Sequence, residues 1–321
     1  MSVPLITIGI TAYNAVDTLE TAIRSAMAQT WRPIEILIVD DCSTDKSNKI
    51  LENLKSQHDE IRIINNDRNM GIAFSRNRIL DEARGEFIVF FDADDESLPE
   101  RIEIQVQRIL DYERDYANGA HVICHTARRL VYPDGNEQIA VTMGENESQM
   151  APKGFSVAER ILLGTPVKDA YGGCPTCSQM ARLSTYQLLG GFDPDFRRSE
   201  DTDFNIRLAK IGGHFVGIAK PLVLQYLTRT PEKSLKDEQK YILMLLDKHR
   251  DVPDRYGLYD YCCHWIDAKQ AWLERNYFQF LITILTLVIT HPIHTFCRIY
   301  AAIPNIELNR NFGRFHSRAD N

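Results

Sequence analysis

The stretch Glu86-Phe-Ile-Val-Phe-Phe-Asp-Ala-Asp-Asp95 decides how this chain is read. Its apolar run has the pattern of a buried strand and leads straight into three acids, Asp92, Asp94 and Asp95. Carboxylates crowded this closely repel one another, and burial without a partner is costly. A hard divalent cation, Mg²⁺ or Mn²⁺, relieves both problems, because it prefers oxygen ligands and commonly shares them with substrate phosphates. The competing reading of this segment alone is a solvated acidic turn before a helix.

The chain around the segment repeats one pattern. Leu5–Ile10 reads as a first buried strand, and Asp17-Thr-Leu-Glu20 has the form of a capping box that opens a helix. Ile34–Val39 is a second strand, ending at Asp40-Asp41-Cys-Ser-Thr-Asp45. A helix over 46–54, a short strand at Ile61–Ile64 and a helix from Ile72 to Ala83 precede the acid-bearing strand. Strands alternating with helices at this spacing predict an α/β fold, a mostly parallel sheet with helices on both faces. Ligands of such sheets bind beyond the carboxyl ends of the strands. Here those ends carry Thr11-Ala-Tyr13, Asp40-Asp41 and Asp92 to Asp95.

Beyond about residue 115 the rhythm changes. His121–Cys124 and Arg128–Tyr132 read as strands joined to the turn Pro133-Asp-Gly135, Phe155–Leu163 as a helix, and Asp201–Ile211 as another. Residues from about 235 onward read as a helical appendage. The expected division is therefore 1–230, in two halves at 1–115 and 116–230, followed by a helical region at 231–321.

Bulk properties narrow the function. The 321 residues are 44% hydrophobic and 25% charged, the make-up of an ordinary globular protein. A net charge of −7 argues against a broad nucleic-acid-binding surface. Met1-Ser-Val-Pro-Leu5 has no basic leader-like segment, so no signal peptide is expected. The seven cysteines follow no secreted framework and read as reduced thiols. Cys174-Pro-Thr-Cys177 has metal or redox spacing, yet no matching second pair completes a zinc site, and core thiols are expected. The chain contains neither G-x-G-x-x-G nor a Walker loop, which argues against a dinucleotide oxidoreductase or P-loop enzyme.

Five blocks, in order, resemble the family 2 inverting glycosyltransferases with the nucleotide-diphospho-sugar fold called GT-A. They are Ile8-Gly-Ile-Thr-Ala-Tyr-Asn14, Val39-Asp-Asp-Cys-Ser-Thr-Asp45, Asn69-Met-Gly-Ile-Ala-Phe-Ser-Arg-Asn77, Phe91-Asp-Ala-Asp-Asp95, and Gly190-Gly-Phe-Asp193 with Glu200-Asp201. The resemblance implies that 1–115 is the nucleotide-sugar-binding half and 116–230 the acceptor-binding half, that Thr11 and Tyr13 line the base pocket, that Asp41 accepts from the base, and that Arg76 and Asp92 face the sugar nucleotide. It implies that Asp94 and Asp95 hold Mn²⁺ or Mg²⁺ against the diphosphate. It makes Asp201 the general base, with Glu200 a second candidate or an orienting group for the acceptor. Read without the resemblance, Asp41 caps the helix that follows, and Glu200 and Asp201 are helix N-terminal acids.

The expected donor is a UDP-sugar and the acceptor a glycan or lipid-linked hydroxyl in cell-surface polysaccharide synthesis on the cytoplasmic side. Two alternatives stay open: a sugar nucleotidyltransferase, which would carry a basic triphosphate-binding loop absent from residues 9–16, and a catalytically silent sugar-nucleotide-binding subunit. Many relatives carry an Arg and a His after the strand at 222–226. Here the run Leu227–Ser234 has no histidine, and two readings stay open: Arg229 or Lys233 contacts phosphate instead, or the loop is structural. Finally, Tyr277–Ile289 is the most apolar run but falls short of a bilayer span. A buried appendage helix is one reading. Peripheral contact with the inner membrane, aided by the arginines and aromatics between His291 and Asn321, is the other.

Overall fold

In the computed structural model, residues 3–227 and 235–303 are described. Arg229 and Lys233, and the aromatics Phe312 and Phe315 of the C-terminal stretch, lie outside the described residues. The chain divides into two compact units. One comprises residues 3–154 and 171–227, the other 155–170 and the C-terminal helices.

The first unit is built on one nine-stranded sheet. Its strands are β1 (Ile6–Ala12), β2 (Ile34–Asp40), β3 (Ile61–Asn65), β4 (Phe87–Asp92), β5 (Asp95–Ser97), β6 (Val122–Val131), β7 (Glu137–Ala140), β8 (Gln179–Arg182) and β9 (His214–Tyr226). The order is β3-β2-β1-β4-β8-β6-β9-β5, with β7 paired to β6. β1 to β4 form the parallel half. β8 runs antiparallel to both β4 and β6, while β9 returns parallel to β6 and carries the short β5 antiparallel on its far side. The two runs expected at 121–124 and 128–132 are one long strand, β6, whose hairpin to β7 turns through Gly135 at φ 81°.

Helices α1 (Leu19–Met27), α2 (Ser47–Lys55), α3 (Ile72–Glu82) and α4 (Arg101–Tyr112) connect the first strands. α5 (Phe155–Leu163) belongs to the second unit, while α6 (Leu183–Leu189) and α7 (Glu200–Lys210) complete the first. Ile6, Ile8, Ile36, Ile38, Phe87 and Val89 are fully buried, as strands covered on both faces require. α3 crosses β1 so closely that a Cβ on Gly9 would lie 2.7 Å from Ile79 Cγ2. The capping box expected at Asp17 does not form: the cap is Thr18, without a side-chain bond, and the loop is instead held from outside. Val16 N–H donates to Asp45 Oδ2, and Ala15 N–H to Ser47 Oγ.

Aromatic packing joins α6 and α7 to the sheet. Phe90, Tyr186, Phe192 and Phe204 make edge and stacked contacts with ring centroids 5.0–6.0 Å apart. Gly190 and Gly191 both adopt positive φ and swing Phe192 into this cluster. Asn77 of α3 pins the turn from the other side: its Nδ2 donates to Phe192 O and its Oδ1 accepts from Phe192 N–H, at 2.7 and 2.8 Å.

The second unit contains α5, α8 (Leu235–Lys248), α9 (Asp251–Asp254), α10 (Tyr259–Leu273), α11 (Tyr277–Thr290) and α12 (Pro292–Ala302). α5 is tied into it by Arg298 Nη2 donating to Leu162 O at 3.1 Å and by Arg255 lying 3.8 Å over the Phe155 ring. The compact unit thus differs from the expected division at about residue 230 by the segment 155–170. No described helix is long and apolar enough to cross a membrane.

The turn at Gly191 generates a stability prediction. Its φ is 73°, and an added Cβ would sit 2.4 Å from Asn77 Oδ1. Gly191→Ala should therefore cost at least about 2 kcal/mol in urea denaturation. The same substitution at Gly135, whose Cβ would meet nothing within 4 Å, should cost less.

Candidate active site

The carboxyl edge of the parallel half gathers the polar strand ends. Register places Thr11 beside Val39 and Asp92, Ala12 beside Asp40, and Asp40 beside Asn65. Tyr13, one residue past β1, leaves 40% of its surface open at this edge. Asn14, at φ 50°, accepts from the N–H groups of Thr44 and Asp45, so the loops after β1 and β2 are stitched together.

Asp40 and Asp41 divide their work. Asp40 accepts from Ser43 N–H and Oγ, closing the turn after β2. Asp41 does not cap the helix. It is buried, and accepts from Asn66 Nδ2 at 2.7 Å, Met70 N–H at 2.9 Å and Gly71 N–H at 2.8 Å. It thereby fixes the loop that starts α3, leaving one Oδ2 lone-pair direction for a further donor.

α3 delivers Arg76 into the middle of the site. Only 3% exposed, its guanidinium bonds Glu200 through Nη1 and Asp92 through Nη2, the latter at 3.2 Å. The rings of Phe90 and Phe192 lie 5.8 and 5.5 Å from it. The carboxylates, Glu200 foremost, outweigh the effect of burial and keep Arg76 firmly cationic. Each of its two terminal nitrogens thus has a carboxylate partner within the protein.

The acid cluster is not uniform. Asp94 is half-buried, whereas Asp95 points inward, 6% exposed, in β5. Asp95 Oδ1 accepts from Tyr226 N–H at 3.2 Å, while Oδ2 is buried with no hydrogen-bond partner among the described residues. Burial, then the charges of Asp92 and Asp94, push its carboxyl well above the usual range, against the pull of Arg128. Oxygens of Asp92 and Asp95 lie with Cys177 Sγ in a group whose atoms are all within 4.8 Å of one another. An orphaned buried carboxylate oxygen beside a second carboxylate fits a hard divalent cation. Cys177 does not: burial pushes its thiol well up, and the soft neutral sulfur is a poor ligand for Mg²⁺ or Mn²⁺. Cys174, partly exposed, is likewise pushed up to about 12 by burial.

Two cations here went unnoticed in the sequence. Arg101, fully buried, donates to Gln105 Oε1, Ser97 Oγ and Phe90 O, and its guanidinium lies 4.6 Å over the Phe91 ring. Burial lowers it to about 10. It underpins the turn that carries the acids. A cation in the first turn of a helix opposes the dipole, and that local conflict was the available signal. Arg128 of β6 bonds Gln225 Oε1 and faces Asp95; a single arginine on a strand offers no comparable clue.

Glu200 and Asp201 open α7 after Ser199, which holds a left-handed φ of 64°. Asp201 is half-buried and its Oδ1 accepts from Thr202 N–H at 2.6 Å. Glu200 is buried, which pushes its carboxyl up to about 7, Arg76 opposing and Asp201 adding to the shift.

The family model described as glycosyl transferase family 2 matches residues 7–181, and the chain belongs to that family. The chain is 34% identical over 214 residues to the putative glycosyltransferase EpsE of Bacillus subtilis, covering 65% of this chain and 68% of that one. It is 27% identical over 259 residues to the amylovoran biosynthesis glycosyltransferase AmsB of Erwinia amylovora, covering 78% and 80%. A third relative, the UDP-Glc:alpha-D-GlcNAc-diphosphoundecaprenol beta-1,3-glucosyltransferase WfaP of Escherichia coli, is 39% identical over 102 residues, 32% of this chain and 40% of that one. Three further relatives are matched over only 50, 43 and 30% of their own length.

Two solved structures share the fold. S. aureus TarS 1–349 with UDP-GlcNAc has a TM-score of 0.62 at 14% identity, over 98% of this chain and 91% of that one. The mannosyltransferase PcManGT of Pyrobaculum calidifontis with GDP-Man and Mn²⁺ has 0.55 at 14%, over 99% and 85%. The expected GT-A architecture with C-terminal helices is therefore present.

Glu200 makes stability depend on pH in a defined direction. A carboxyl raised from about 4.3 unfolded to about 7 folded contributes stability that is complete below the unfolded value. That stability is lost as pH rises through the folded one. Metal-free protein should therefore lose on the order of 1–3 kcal/mol from this group between pH 4.5 and pH 8, roughly. Glu200→Gln should flatten that part of the profile in urea titrations.

Proposed function

We propose that this chain is an inverting, metal-dependent glycosyltransferase. It would move a sugar from a nucleoside-diphosphate donor, a UDP-sugar, to a hydroxyl of a glycan or lipid-linked acceptor in cell-surface polysaccharide synthesis. The observation that carries the reading is the Arg76 bridge, which ties Asp92 of the acid cluster to Glu200, the neighbour of Asp201. A donor wall and a candidate base are thereby held by one guanidinium. The UDP-GlcNAc-bound and Mn²⁺-bound relatives in fold, and the undecaprenol-linked acceptor in the name of WfaP, support the substrate classes.

In this reading Thr11 and Tyr13 receive the nucleobase, Tyr13 offering its exposed ring, and Asp41 offers its remaining lone pair to a base N–H. Asp92, Asp94 and Asp95 would hold Mn²⁺ or Mg²⁺, which when bound supplies positive charge to offset the departing diphosphate. Asp95 brings the buried unpartnered oxygen, and Asp92 is oriented by Arg76. Asp201 removes the proton from the acceptor hydroxyl, and the acceptor oxygen attacks the anomeric carbon opposite the leaving group. Inversion in a single displacement then needs one base and no covalent nucleophile. Glu200, fixed by Arg76, sets the orientation of Asp201.

Donor hydrolysis or transfer with purified protein tests the reading. Asp201→Asn should lower kcat about 100- to 10,000-fold while leaving the Kd for the sugar nucleotide nearly unchanged. A silent binding subunit would instead show donor binding and no turnover in the wild type across donors and acceptors. Asp95→Asn should weaken Mn²⁺ binding at least about tenfold by electron paramagnetic resonance titration. Undiminished Mn²⁺ affinity in that variant would remove Asp95 from the metal site.

A further inference from the structure

We propose that α11 and α12 seat this protein on the headgroup region of an anionic bilayer. The inference goes beyond the donor chemistry and does not depend on it. On α11, Phe278, Leu281, Leu285 and Ile289 are 76, 57, 60 and 80% exposed, and on α12 Ile293 and Phe296 are 74 and 62% exposed. Their spacing of three and four residues puts the α11 set along one helical face. Only Thr283 and Leu287 of α11 are buried. A helix whose hydrophobic side chains mostly face water departs from the pattern of a core helix, and exposed apolar surface of this extent marks an interaction site.

Charge selects the occupant. Residues 276–297 contain no Asp, Glu, Lys or Arg. The chain following α12 carries Arg310, Arg314 and Arg318 against Glu307 and Asp320, in a protein whose net charge is −7. An uncharged apolar face complements acyl chains, and the arginines that follow α12 in the sequence favour anionic headgroups. The chain's own residues 304–321 offer Ile306, Leu308, Phe312 and Phe315, too few large apolar groups to cover both helices.

Length and rim chemistry agree. α11 has 14 residues. At about 1.5 Å per residue it spans about 21 Å, short of the roughly 30 Å hydrocarbon core, so it lies along the surface. Trp272 and Tyr277, with ring centroids 5.6 Å apart, and Tyr300 supply amphipathic rings suited to the headgroup level. Such seating would bring a transferase to an acceptor whose lipid moiety lies in the membrane.

The test is co-sedimentation of the full chain with vesicles of phosphatidylcholine mixed with phosphatidylglycerol, against phosphatidylcholine alone. Binding to the mixed vesicles is expected, weakened by salt and by omission of phosphatidylglycerol. The triple variant Leu281→Asp, Leu285→Asp, Ile289→Asp should reduce the partition coefficient at least about 100-fold. Its circular dichroism and its donor turnover without vesicles should match wild type, so failure of the catalytic reading leaves this result interpretable. Equal partitioning of variant and wild type would overturn the proposal. So would a wild-type dimer in sedimentation velocity that the same substitutions dissociate while vesicle binding is absent.

Discussion

A guanidinium closed off from water and shared by two carboxylates constrains everything around it. Arg76 is buried, and removing either acid would leave its charge short of a partner at a cost of several kcal/mol. The three groups come from α3, the end of β4 and the start of α7, so these elements must approach in one arrangement. The aromatic cluster of Phe90, Tyr186, Phe192 and Phe204 supplies the apolar wall, and two of its rings lie beside the guanidinium itself. Asn77, one residue beyond Arg76, locks the Gly190-Gly191 turn to the same helix. The glycine turn, the acid pair after it and the acid cluster are thus parts of one mechanical unit.

Electrostatic cost concentrates where chemistry is proposed. Asp95 is held buried against two like charges with one oxygen unpartnered among the described residues, although Arg101 and Arg128 stand nearby. Had the acids been a simple solvated turn, Asp95 would face water and no such penalty would exist. Asp41 lies at the other extreme, with three donors that leave its charge well satisfied. One carboxylate therefore organises a loop, while the other still lacks a partner that a cation could provide.

The second unit follows a different physical logic. Its helices bury one side against each other, as α10 does through Tyr261 and Cys262, yet α11 and α12 turn their apolar residues outward. Among the described residues, the α/β unit has no comparable run of exposed aliphatic side chains.

Much of the α/β unit was legible in local pattern. Uninterrupted apolar runs such as Ile34–Val39 specify strands covered on both faces, and strand ends in such a sheet place Thr11, Asp40 and Asp92 on one edge. The continuity of β6 across 122–131 and the pairing of β5 with β9 were not legible, because antiparallel partners distant in sequence leave no periodic mark. The capping box at Asp17 misled for a related reason: the bonds that hold that loop come from Asp45 and Ser47, 29 and 32 residues away. Composition and order of residues determined the strands, the family blocks and the set of acids. Tertiary structure alone decided that Asp95 turns inward, that Arg76 joins Asp92 to Glu200, and that 155–170 packs with the C-terminal helices. Those outcomes depend on burial and on charge pairs closed over long loops, and neither quantity exists until the chain is folded.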